Sequence, residues 1–291
     1  MQTIRPKVTH HSLAYCVGSG LISLLLLISA TGCAPLNFAT MTTNLNRQTD
    51  LDLVCEGAPA YLLLLDSLVA GDPNNTQLLL GGVQAYTSYA GAVGECGRAE
   101  RAAAMGVKAR DYGLSLLRQE TGITPEMSLP ELSAALAKTD KGEIGPIFWG
   151  GYGWALWISQ QNGAPAALVD LPKIELLMER VVDLDDTYYR GGAHLFLGIY
   201  HGSRPQLYGG KPELARQHFE KTLANNHRTF LPVQVAYAEY YAKPLFDREL
   251  YQKLLEEVLA FDLSTAPELS LSNQVAQRQA RRLLTKIDEY F

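Results

Sequence analysis

Apolar residues recur three and four positions apart through most of the chain beyond residue 50, and few stretches alternate as a half-buried strand would. That periodicity predicts helices near 58–70, 76–93, 98–118, 129–138, 147–161, 172–184, 187–203, 212–224, 230–242, 247–260 and 271–289. Gly, Pro and Asn fall between the periodic segments, and Asp72-Pro73-Asn74-Asn75 reads as a turn. Pro59 either opens the first helix or kinks a turn that begins near Leu51, because proline is tolerated in a first turn and disrupts a helix interior. The expected fold class is all-α.

The apolar stripes repeat at a fixed distance. A shift of 41 residues lays Gly150, Gly151, Leu156 and Ile158 on Gly191, Gly192, Leu197 and Ile199, and Met178-Glu179-Arg180 on Phe219-Glu220-Lys221. A further shift of 36 lays Leu214, Ala215, Phe219 and Leu223 on Leu250, Tyr251, Leu255 and Leu259. Self-similarity of this kind marks stacked helix-turn-helix units. Leu197-Gly198, Ala215 and Phe219 resemble the small and large packing positions of tetratricopeptide repeats, with a longer loop at 204–210. The architecture expected is therefore tetratricopeptide-like repeats in a curved superhelical array over 50–291. The period exceeds the usual 34 residues, Thr222 stands where Ala is common, and an ordinary helical bundle with aligned stripes is the alternative.

The strings PAYLLLLDSLVAGDPNN, YYRGGAHLFLGIYHGSRPQLYGGKPELARQHFEKTL and YAEYYAKPLFDRELYQKLLEEVL resemble the TatT family, the T-component lipoproteins of tripartite ATP-independent periplasmic (TRAP) transporters. The resemblance runs from about Asp50 to Phe291 and rests on packing and loop motifs. It implies a tetratricopeptide-like helical protein, a homotrimer, that associates with the transporter's substrate-binding (P) component and holds an apolar ligand in an internal pore. A general tetratricopeptide scaffold for outer-membrane or envelope assembly is the alternative function.

The start of the chain follows a different pattern. Arg5 and Lys7 precede the apolar run 20–29, which ends in Ala30-Thr31-Gly32-Cys33. The run is shorter than the roughly 20 apolar residues of a membrane span and has the form of a signal-peptide core. Residues 1–32 are expected to be a lipoprotein signal peptide, Cys33 the lipidated residue that ties the chain to a membrane, and 33–49 a polar tether. Ala34, in place of Asp, is compatible with sorting to the outer membrane, on the periplasm-facing side. Without Arg5 and Lys7, 23 basic residues face 30 acidic ones, a net charge of −7, so nucleic acid is not an expected partner.

Cys16 leaves with the signal and Cys33 takes the lipid, so Cys55 and Cys96 remain for an oxidising compartment. Folding of the first two helices about the 72–75 turn would bring them together, and a disulfide is expected, with two buried free thiols the alternative. Their spacing does not suit zinc, and neither a metal nor another cofactor is expected.

No Gly-x-Ser-x-Gly, His-Glu-x-x-His or phosphate-cradling loop occurs, so an enzyme is not expected. Asp185-Asp186 precedes a helix and suits capping better than acid–base chemistry. First helices of tetratricopeptide pairs line the concave face, and here they carry Trp149, Tyr152, Trp154, Trp157, Tyr188, Tyr189, His194, Tyr200, His201, Tyr237, Tyr240 and Tyr241. The ligand-binding candidates among them are Trp149, Tyr152, Trp154, Trp157, Tyr189, His194, His201, Tyr237 and Tyr240, since aromatic walls with polar tips suit an apolar ligand. Filling of the core is the competing reading for each ring. Arg204 and Tyr208, in the longer loop, are the partner-binding candidates.

Overall fold

The computed structural model describes Gln2 and residues 38–291 apart from Asn162 and Pro205. The expected signal segment and Cys33 lie outside the described residues. The chain divides into two compact units, Met1–Phe38 and Ala39–Phe291, and the helices below belong to the second, α1 starting at its boundary. Among the described residues every regular element is helical.

The helices are α1 (Phe38–Asn46), α2 (Leu51–Gly71), α3 (Thr76–Ala92), α4 (Ala102–Thr121), α5 (Leu129–Leu136), α6 (Ile144–Ser159) and the short α7 (Pro165–Leu168). There follow α8 (Leu171–Leu184), α9 (Tyr188–Gly202), α10 (Pro212–Asn225), α11 (Pro232–Tyr237) continued by a π turn (Ala238–Ala242), α12 (Arg248–Ala260), α13 (Ser270–Leu284) and α14 (Ile287–Tyr290). The segments related by the 41-residue shift are the neighbouring hairpins α6–α8 and α9–α10.

Two differences from the sequence pattern have local causes. Helix α1 occupies most of the segment expected to be a polar tether, where Met41 and Leu45, four apart on one face, are both partly buried. Helix α2 begins at Leu51, because the Asp50 carboxylate accepts from the Leu53 amide at 3.0 Å and caps it. Pro59 therefore lies inside the helix. Helix α2 is also long and apolar enough by composition to cross a membrane; one face, with Leu62, Leu65 and Val69, is buried within the fold, and the other, with Leu53, Leu63 and Leu64, is exposed.

Helices α4 and α6 cross at very short range. A Cβ on Gly153 would lie 2.4 Å from the Ala109 carbonyl oxygen, and one on Gly113 would lie 3.0 Å from that of Trp149. Only glycine permits this approach. Around it one core joins α2–α6, α8 and α9; a second joins α10–α13.

The same contacts give the helix directions. A Cβ on Gly145 would lie 3.3 Å from the Tyr188 hydroxyl, so α6 and α9 begin side by side. One on Gly202 would lie 2.4 Å from the Tyr240 carbonyl oxygen, so α9 and the π turn end side by side. Asn273 in α13 accepts from the Leu231 amide at 3.0 Å and donates to the Thr229 carbonyl at 2.9 Å, which joins the starts of α11 and α13. Helices α6, α9, α11 and α13 thus share a direction, and α8, α10 and α12 return between them.

The last long helix closes the array. Helix α13 packs against α2 and α3. Arg278 pairs with Asp52 at 3.3 Å, Arg282 pairs with Glu95, and Gln274 donates to the Gln48 carbonyl at 2.9 Å. Its inner face consequently meets those of α3, α6 and α9 around a common space.

Candidate functional site

That space is a cavity of about 290 Å³. Helix α6 supplies Phe148, Trp149 and Tyr152; α9 supplies Tyr189, Arg190 and Leu195; Phe230, Pro232, part of Leu269 to Val275, and Thr87, Ser88 and Gly91 of α3 add to the wall, with the polar Asn46, Glu268 and Gln279. The rings pack on one another: Trp149 stands edge-on to Tyr189 at 4.7 Å and to Tyr152 at 5.9 Å, and Phe148 stacks on Tyr152 at 5.7 Å. Aromatic edge and offset packing of this kind is worth about 1 kcal/mol per pair beyond burial and holds the wall in one shape.

Backbone geometry delivers Tyr189 to the cavity. Tyr189, Arg190 and Gly191 all have positive φ (45°, 62° and 77°). Left-handed backbone costs a non-glycine residue about 1 to 2 kcal/mol, so two of the three are strained. Tyr189 remains 45% exposed, yet burial pushes its phenol up to about 12. The two agree because its exposed surface borders the cavity, a partly open hollow, rather than a convex outer face. Burial also raises Tyr152.

Three of the nine ligand-binding candidates, Trp149, Tyr152 and Tyr189, thus meet in one wall; the other six stand elsewhere. Trp154 is buried in the first core, with the Lys173 ammonium 5.9 Å from its ring. Trp157 is half-buried under the Arg110 guanidinium at 4.6 Å. Tyr237 is buried, stacked on Phe219 at 4.7 Å, with its hydroxyl donating to Glu220 at 3.1 Å. Tyr240 is partly exposed beside Gly202. An α-helix turns about 100° per residue, so Trp154 and Trp157 leave the face that Phe148 and Tyr152 share.

His194 and His201 join a cluster between α9 and α10. The Nδ1 atoms of His194 and His218 are 2.8 Å apart, and the His201 ring stacks on His218 at 5.8 Å. His201 Nε2 lies 3.6 Å from Glu175, which also accepts from the Tyr200 hydroxyl at 2.8 Å. Burial, and then the two neighbouring histidines, pull His218 down to about 4, so the cluster is neutral at neutral pH. Among the described residues no group of three His, Cys, Asp or Glu is arranged to hold a metal ion.

The remaining candidates sit at the periphery. The Arg204 guanidinium lies 4.0 Å over the Tyr200 ring, and Tyr208 ends the short turn Gln206–Tyr208. Cys55 and Cys96 stand with Cα atoms 5.4 Å apart, within the reach of a disulfide. Asp185 accepts from the Thr187 amide at 2.9 Å, and Asp186 pairs with Lys221 at 2.8 Å, so both carboxylates are engaged in holding a helix junction.

The sequence pattern did not point to Phe148, Arg190 or the contribution of α13. Small residues on one face of α3 (Thr87, Ser88, Gly91) are the available signal, since only a hollow or a close crossing leaves such a face unfilled.

A family model described as TRAP transporter T-component matches residues 47–291. A protein of Treponema pallidum (strain Nichols), described as an uncharacterized protein, is 24% identical over 276 residues, covering 89% of this chain and 85% of its own length.

Proposed function

The chain belongs to the TRAP transporter T-component family, and on that premise we propose that it is a non-enzymatic, periplasm-facing lipoprotein that binds the transporter's substrate-binding component and takes an apolar ligand into its central cavity. The cavity is the observation that carries the ligand reading. Phe148, Trp149, Tyr152 and Tyr189 line about 290 Å³ of a partly open hollow between α3, α6, α9 and α13, a size at the lower end of small-molecule sites. Four helices in one direction with returning helices between them support the tetratricopeptide-like reading of the array. The leader 1–32, acylation of Cys33, delivery to the outer membrane, the Cys55–Cys96 disulfide and a trimeric state belong to the same proposal.

Native mass spectrometry of the protein extracted from its own membranes tests it. The expected result is an acylated chain that retains a small apolar molecule and co-purifies with the substrate-binding component. Retention should fall several-fold when Trp149 and Tyr189 are both changed to Ala. A molecule retained equally by that variant would overturn the ligand reading. Co-purification with outer-membrane assembly proteins in place of the substrate-binding component would favour the scaffold alternative.

A further inference from the structure

Helices α6, α9 and the α11 π-turn unit end on the same side of the array, and the loops that follow them, 160–170, 203–211 and 243–247, therefore form one edge. Glu175, in the first turns of α8, accepts from Tyr200 near the end of α9, which sets the first two loops side by side. Gly202 against Tyr240 does the same for the second and third. Each loop lifts an apolar side chain into solvent: Val169 is 69% exposed, Leu207 86% and Phe246 77%. Leu168 and Leu245 beside them are also exposed.

Phe246 carries two costs at once. Its φ of 54° is left-handed, a conformation usually left to Gly or Asn, and the ring it projects is hydrated. The backbone turn itself closes the helix, since the Phe246 amide donates to the Lys243 carbonyl at 3.1 Å and the Asp247 amide to that of Ala242 at 2.9 Å, but the turn does not require an exposed aromatic ring. Large apolar side chains held in solvent along one edge mark a candidate interaction site.

The surrounding charge narrows the partner. Within its three loops the edge carries Arg204, Lys211 and Lys243 against Asp170 and Asp247, a small positive excess in a chain of net charge −5. Its direction matters as well. The chain enters the array at the other side, where the Gln48 carbonyl meets Gln274 near the start of α13. A domain tethered through its N-terminus would turn this edge away from the bilayer.

We propose that the edge formed by Val169, Leu207 and Phe246 with their basic neighbours docks a folded protein that presents apolar recesses within an acidic rim. The assignment rests on the reading above that this chain binds a protein partner. It extends the contact from the Arg204 loop to three successive loops and makes the apolar tips the anchors. Basic residues around them would speed encounter, with a dependence on salt.

The test titrates the purified TRAP substrate-binding component of the same organism against the chain from residue 34 onward, by calorimetry. Three proteins are compared: wild type, a Val169→Ser, Leu207→Ser, Phe246→Ser variant, and a Leu53→Ser, Leu63→Ser variant of the exposed α2 face. Circular dichroism checks that each is folded. The expected result is that the edge variant binds about 20-fold more weakly or worse while the α2 variant matches wild type. Equal binding by the edge variant, or loss confined to the α2 variant, would overturn the edge and leave the partner reading intact. No binding by wild type would overturn the partner reading, and the edge with it. Two further outcomes also count against the proposal: edge-dependent sedimentation with phosphatidylglycerol vesicles, which would make a bilayer the occupant, and an edge-dependent change of oligomeric state, which would make it a second copy.

Discussion

The two edges of the helical array are built in opposite ways. At the edge where α6, α9, α11 and α13 begin, the turns are polar and tied inward. Asn225 donates to the Asp186 carbonyl at 2.7 Å, and Arg228 pairs with Glu257 at 2.5 Å. Gln234 donates to the Arg228 carbonyl at 2.9 Å, and Asn273 bridges Thr229 and Leu231. At the edge where those helices end, the loop tips are apolar and face solvent. Both edges contain left-handed residues, His227 and Arg228 at the first and Phe246 at the second. Both turns are closed by backbone hydrogen bonds, Arg228 to Leu223 at 3.0 Å and Asp247 to Ala242 at 2.9 Å; Arg228 adds bonds from its own side chain and carbonyl, whereas the Phe246 ring is exposed. One edge therefore serves the fold, and the other is free to serve a partner.

The contrast breaks if substitutions at the polar edge prove harmless. Asn273 is fully buried, and Asn273→Ala should remove about 2 kcal/mol from the unfolding free energy, since the buried Leu231 amide and the partly buried Thr229 carbonyl lose their partners. Urea titration with an unchanged midpoint would contradict that account.

The histidine cluster between the edges should govern acid stability. His218 titrates near 4 in the fold because of burial and its neighbours His194 and His201, against about 6.5 in the unfolded chain. The unfolded chain thus binds a proton that the folded one does not between these values. Its contribution is present above pH 6.5 and is lost as pH falls toward 4, at up to about 1.4 kcal/mol per pH unit. His218→Gln should flatten the melting temperature across that window, and an unaltered pH profile would rule the cluster out as its source.

At the apolar edge the sign should reverse. Phe246→Gly relieves the left-handed backbone and is expected to stabilise the domain by about 1 kcal/mol, or a slightly raised melting temperature. A clear loss would mean that the ring supports the fold. Leu207→Ser is the smallest case. At 86% exposure it should change stability by less than about 0.5 kcal/mol, so a larger loss in thermal melts would remove the distinction between the edges.

Much of this organisation is legible along the chain. The helices announce themselves because each buries one stripe, and the 41-residue shift finds α6–α8 and α9–α10 because the same stripe recurs in both hairpins. The cavity is harder to read. Trp149 and Trp154 have the same chemistry and lie in one helix, yet the first borders the hollow and the second fills the core. Periodicity reports that a residue is turned inward, not whether its neighbour across the gap is a side chain or empty space. Tyr189 reaches the hollow through a left-handed turn, which a tyrosine-arginine pair does not signal.

The sequence by itself determined the all-helical class, the order of the helices and the family, because these depend on local spacing and on short strings read directly along the chain. Only the tertiary structure decided which aromatic residues share a wall, that α13 returns to α2 and α3 to enclose it, and that three separate loops make one edge. Each depends on which end of a helix lies beside which, and contacts between residues up to 226 positions apart, such as Arg278 with Asp52, settle that. Local propensity carries no record of such distances, since they are set when glycine-lined crossings and buried polar bridges choose one packing among those the same stripes allow.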